Sequence, residues 1–172
     1  MTETLEVLKW AHDAARDDEI VAMFWEELCK AVHEPLSASA EKVLSELCEY
    51  GGNTIANLFR GHGVDYAEVA YDVACALKPW LDDKPFSEGD IEACERYVLK
   101  RMEVQEDDLT KLIDAVRATV GKQVARQQVL RALSVVLLAW TVIDIAGPAM
   151  RVTIPGVTYV ALLRKLYQSV HA

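Results

Sequence analysis

A chain of 172 residues, 52% of them apolar, can bury a sizeable core. That excludes a disordered segment and removes any need for disulfides or a metal to hold one domain together. Net charge is −9, which disfavours nucleic acid as a partner, because phosphate contacts need clustered Lys and Arg.

The elements follow in chain order. Leu5, Leu8, His12 and Ala15 recur at helical spacing, with Thr2 or Thr4 as cap. Asp18 opens a second helix carrying Ile20, Phe24, Leu28 and Ala31, and Pro35 stops it. Ser39 caps a third, with Val43, Leu44, Leu47 and Cys48 inward, ending at Gly51 and Gly52. A short helix over 53–60 starts on Asn53 and ends at Gly61. Asp65 and Glu68 have capping-box spacing before Val69, Val73 and Leu77. Residues 80–86 read as a loop. Ser87 and Asp90 introduce Ile91, Cys94, Val98 and Met102, and Asp107 or Asp108 introduces Leu109, Leu112, Ile113, Val116 and Val120. A long helix is expected over 122–146, stopped by Gly147 and Pro148. The β-branched stretch 150–155 is expected to be extended, and a last amphipathic helix covers 157–170. The expectation is an all-α fold: one helical domain over 1–172, eight or nine helices in a bundle, with one short extended link near 150–155.

The four cysteines, Cys29, Cys48, Cys75 and Cys94, form no Cys-x-x-Cys pair and sit in helical apolar patterns. They read as buried thiols of a reducing cytoplasm rather than a zinc site. The opening Met-Thr-Glu-Thr-Leu-Glu has no basic-then-apolar leader, so a cytoplasmic location is expected. Charge is uneven. From Arg117 onward seven Lys/Arg face one acid, a net +6, which leaves −15 on residues 1–116.

Four of the eight glycines fall within 51–63, Gly-Gly-Asn-Thr-Ile-Ala-Asn-Leu-Phe-Arg-Gly-His-Gly. The run has neither phosphate-loop spacing nor a lysine, so a nucleotide cradle is not expected. It reads first as a tight junction between helices, with the N–H groups near Asn53, and Arg60 and His62, as a weaker anion site. The set His62, Asp65 and Glu68 lacks a diagnostic metal spacing, and no metal or other cofactor is expected. No catalytic signature such as His-Glu-x-x-His or Gly-x-Ser-x-Gly occurs.

The stretch from Glu49 through the run to Tyr66, Asp72, Val73 and Leu77, and the later Arg151-Val-Thr-Ile-Pro155 followed by Leu163 and Arg164, resemble the YaaW-like family of bacterial proteins. Together with weaker matches between them these cover roughly residues 27–170. Two departures stand out: a reduced N-terminal helical segment, and a Gly/Ala-rich insertion trimmed to Gly147-Pro148. The family is functionally uncharacterised, so the resemblance implies no catalytic residues. It marks Gly51, Gly52, Asn53, Asn57, Arg60, Gly61, His62, Gly63, Arg151, Thr153 and Pro155 as the motif, and implies that its two halves meet.

Three functions remain open. The first is a non-enzymatic protein-interaction module, of regulatory, assembly-factor or immunity-like type, binding another protein through acidic surface or a groove near Asn57–His62. The second is a peripheral membrane factor using the basic, apolar C-terminal third. There 132–143 carries no charge but spans only about 18 Å as a helix, short of a bilayer core. The third is an anion-binding protein or enzyme centred on Asn53, Arg60 and His62.

Overall fold

The computed structural model describes residues 2–51, 64–77, 86–87, 89–102, 104, 106–117 and 149–171. Among these there are seven helices and no strand. They are α1 (Thr2–Ala14), α2 (Glu19–Ala31), α3 (Ala40–Gly51), α4 (Tyr66–Ala76), α5 (Ile91–Arg101), α6 (Glu106–Arg117) and α7 (Met150–His171). The all-α class stands. Of the eight or nine helices expected, those over 53–60 and 122–146 lie outside the described residues.

Local chemistry starts several of these helices. The Asp18 carboxylate accepts from the N–H groups of Ile20 and Val21 at 2.8 and 3.1 Å, and Asp90 accepts from Ala93 at 3.0 Å. The Ser39 hydroxyl accepts from Lys42 N–H at 3.3 Å. Asp65 holds the cap position of α4, but its side chain makes no capping bond, so the expected box does not form.

The extended link expected over 150–155 is a correction. That stretch is the start of α7, which runs 22 residues with Pro155 inside it. Pro and Gly cost about 3 and 1 kcal/mol in an isolated helix, and β-branched residues add to that, so local propensity opposes helix here. Burial reverses the balance. Every residue from Val152 to Arg164 is buried, and burying one Val or Ile side chain contributes about 1.5–3 kcal/mol. The two threonines find acceptors inside their own helix: Thr153 Oγ1 donates to Ala149 O at 3.1 Å and Thr158 Oγ1 to Ile154 O at 2.7 Å.

A helix buried on all sides is a central one. α7 packs against each of the other six described helices. Its far end is held by aromatic edges, with Trp10 of α1 lying 5.6 Å from Tyr167 and 6.1 Å from His171. No helix among the described residues is long and apolar enough to cross a membrane, and the stretch 132–143 lies outside them.

The turn after α2 carries strain. His33 N–H donates to Lys30 O at 3.2 Å and Glu34 N–H to Cys29 O at 2.9 Å, the paired bonds of a left-handed helix stop. Glycine normally fills that place, yet His33 sits there at φ 61°, its ring 5.9 Å from Tyr50. Left-handed backbone costs a residue with a Cβ about 1–2 kcal/mol. His33→Gly is expected to be more stable than His33→Ala by about 1 kcal/mol, since both lose the Tyr50 contact and only glycine relieves the strain. Urea midpoints of the two variants check this.

Candidate functional site

The chemistry-bearing side chains of the described residues fall into three groupings: a buried polar network, the thiols and a surface cleft. The network centres on Arg164, 2% exposed in the middle of α7. Its Nε donates to Glu95 Oε2 of α5 at 2.8 Å, its Nη1 to Glu3 Oε1 of α1 at 3.0 Å, and its Nη2 to Thr4 Oγ1 at 2.8 Å. The Tyr66 hydroxyl of α4 donates to the other Glu95 oxygen at 2.8 Å. Four helices are thus stitched together by one cation and one buried anion.

Burial pushes the Glu95 carboxyl upward, while Arg164 and the Tyr66 hydroxyl hold it back. Burial opposes the charge on Arg164, but Glu95, and after it Tyr66 and Glu3, more than restore it. Burial, with the Glu95 charge beside it, holds the Tyr66 hydroxyl well above its usual range. Both Glu95 oxygens and three of the guanidinium's N–H directions are used internally. The network is a structural clamp: Arg164, Glu95, Tyr66 and Thr4 are buried, and only Glu3 reaches the surface.

None of the four cysteines forms a disulfide; Cys29, Cys48 and Cys94 are buried and Cys75 is half-buried. Burial, reinforced by nearby carboxylates, pushes Cys29 and Cys94 up to about 11 and Cys48 up to about 12, from an ordinary 9.0. Neutral thiols of this kind are poor nucleophiles. The sign of the pH dependence follows. In the unfolded chain these thiols ionise near 9.0, before the folded ones, so their contribution is complete below that value and is lost as pH rises towards 11–12. Urea midpoints are expected to fall above pH 9, and iodoacetamide at neutral pH to leave Cys29, Cys48 and Cys94 unlabelled in the native protein. A midpoint that rises through the same interval contradicts the assignment.

Among the described residues no group of three or more His, Cys, Asp or Glu is placed to hold a metal ion. The cleft lies between α1, α2 and the Pro35–Ser37 turn, with a volume of about 490 Å³, within the range of ligand and peptide sites. His12, Arg16, Trp25, Glu26 and Leu36 line it. The Trp25 indole N–H donates to Leu36 O at 3.3 Å and fixes the turn, and the His12 ring meets Trp25 edge-on at 5.4 Å.

The motif residues are placed as follows. Gly51 closes α3, where a Cβ would lie 2.3 Å from Val69 Cγ2. Gly52, Asn53, Asn57, Arg60, Gly61, His62 and Gly63 lie outside the described residues, and so does the expected meeting of Gly61 with Thr153. In the second half of the motif Arg151 is exposed, while Thr153 and Pro155 are buried in α7. Leu47, one turn before Gly51, packs on Gly156, the residue after Pro155. Sequence reasoning missed the pairing of Arg164 with Glu95, and missed the cleft. A signal for the first was present: Glu95 falls on the apolar stripe of Ile91, Cys94, Val98 and Met102, and Arg164 follows Leu162 and Leu163.

The chain is similar to a UPF0174 protein of Helicobacter pylori (strain J99 / ATCC 700824), 29% identical, with 73% of this chain and 70% of that protein covered. That match supports an uncharacterised bacterial family. No protein-family model and no solved structure matches.

Proposed function

We propose that this chain is a non-enzymatic helical interaction module, YaaW-like in its motifs, that binds another protein through its acidic N-terminal surface. The observation that carries the reading is the division between inside and outside. Among the described residues, Arg164, Glu95, Tyr66 and three of the thiols are buried; the first three are bonded to one another and the thiols are held neutral. Outside, a cleft lined by Arg16, Trp25 and Glu26 opens beside Leu36, a large apolar side chain left 55% exposed. Exposed apolar surface rimmed by charge is the usual form of a protein-binding patch. Arg60 and His62, which stand between glycines in the sequence, are with Asn53 and Asn57 a second proposed point of contact. A bacterial cytoplasm suits the free thiols.

The test places photocrosslinking residues at Leu36 on the cleft, at Lys100 on α5 and at His62 in the run, each in the full chain in its native host. A discrete adduct with one protein from at least one position is expected. No adduct from any of the three overturns the module reading.

A further inference from the structure

The charged groups lining the cleft are unevenly satisfied. Glu26 bonds Lys30 at 2.8 Å, so its carboxylate already has a cation. Arg16 has no equal partner. Its one ion pair among the described residues is with Asp13 at 3.9 Å, beyond hydrogen-bond reach, and the two side chains are 72% and 74% exposed. A pair of that kind contributes little in water. The Ser37 hydroxyl makes no hydrogen bond among the described residues, and the Trp25 indole N–H is engaged by Leu36 O. The open polar capacity of the cleft is therefore a guanidinium and a hydroxyl. The rest is apolar: Trp25, 3% exposed, is the floor, Leu36 is the lip, and the small Ala22 leaves room beside the ring.

We infer that this cleft binds a small carboxylate with a flat apolar body. The body lies against Trp25 and Leu36, and the carboxylate accepts from Arg16 and from the Ser37 hydroxyl. A carboxylate matches the guanidinium fork with two parallel bonds, which Asp13 does not supply from 3.9 Å. A ligand cation finds no open anion, because Glu26 already holds Lys30. The volume of about 490 Å³ suits one small molecule. The chain's net charge of −9 opposes the approach of an anion, but distant acids are screened beyond about 8 Å at physiological salt. The groups at the cleft decide the contact. This goes beyond the interaction-module reading and does not depend on it.

The test uses three probes with one apolar body and different charge: 3-phenylpropionate, 3-phenylpropionamide and 3-phenylpropylamine. Each is titrated to millimolar concentration into the full chain, and the Trp25 indole N–H resonance, assigned with Trp25→Phe, reads both place and affinity. The carboxylate is expected to shift that resonance and to bind about tenfold more tightly than the amide, with the amine weakest. Arg16→Gln changes an exposed side chain, and circular dichroism checks that the fold is intact. It is expected to bring the carboxylate's affinity down to the amide's while leaving the amide's unchanged. Three outcomes overturn the inference: no shift of the Trp25 resonance by the carboxylate, binding of the amide or amine as tight as the carboxylate's, or an Arg16→Gln chain that keeps the carboxylate's advantage. The two readings fail separately. Cellular adducts without carboxylate binding keep the module and remove the ligand site; carboxylate binding without any adduct does the reverse.

Discussion

Arg164→Met is expected to cost about 3–5 kcal/mol and to lower the melting temperature by about 6–20 °C, the largest single loss from any polar substitution in the described residues. The cause is the group left behind. Methionine fills much of the arginine's volume, so packing changes little. Glu95, buried beside Tyr66, is left with its charge and no cation. Glu3 contributes little to the effect, since its side chain is 69% exposed and water replaces the lost partner. The same logic predicts the repair. In the double variant Glu95→Met with Arg164→Met both charges are gone, and the protein is expected to be more stable than Arg164→Met alone. It does not return fully, because the Tyr66 and Thr4 hydroxyls lose their partners at about 1–3 kcal/mol each. Adding Tyr66→Phe is expected to recover part of that. Urea unfolding of the singles and the double closes the cycle. A double whose loss equals the two single losses added together contradicts a coupled clamp.

Where an element's cause is local, the sequence was a good guide. Asp18, Ser39 and Asp90 begin α2, α3 and α5 at the expected places because a cap bond reaches only two or three residues. Where the cause is distant it failed. The bond from Arg164 to Glu95 spans 69 positions, and nothing near either residue names the other. The first turns of α7 were misread for the same reason. Val152, Thr153, Ile154, Pro155 and Gly156 argue against helix one by one, and only their burial in the core of the bundle argues for it. The cleft was hidden differently. His12, Trp25 and Leu36 belong to α1, α2 and the turn after it, and each looks ordinary in its own segment. The charge pattern was legible, since the −15 of residues 1–116 needs only counting, but which charged groups line the cleft needs the fold.

Gly51→Ala is expected to destabilise the protein by about 1–3 kcal/mol, although alanine is the better helix former by about 1. The sign is decided by Val69. A Cβ at Gly51 would lie 2.3 Å from its Cγ2, 3.0 Å from Cγ1 and 3.1 Å from its Cβ. Rotating χ1 moves the methyls but not the Cβ, and a β-branched side chain has few rotamers to offer. Relief therefore requires α3 and α4 to separate. Gly156→Ala gives the contrast. Its Cβ meets Leu47 Cδ1 at 2.4 Å, but Leu47 Cγ stands back at 3.5 Å, so a side-chain shift relieves part of the overlap. Its cost is expected to be the smaller of the two. Val69→Ala in the Gly51→Ala background is expected to restore part of the lost stability, because the methyls at 2.3 and 3.0 Å go and only the Cβ at 3.1 Å remains, whereas the same change in the unaltered chain costs the buried methyls about 1 kcal/mol or more. That reversal of sign separates close helix approach from a need for glycine's backbone freedom. If Val69→Ala is equally harmful in both backgrounds, the contact is not what keeps glycine at position 51.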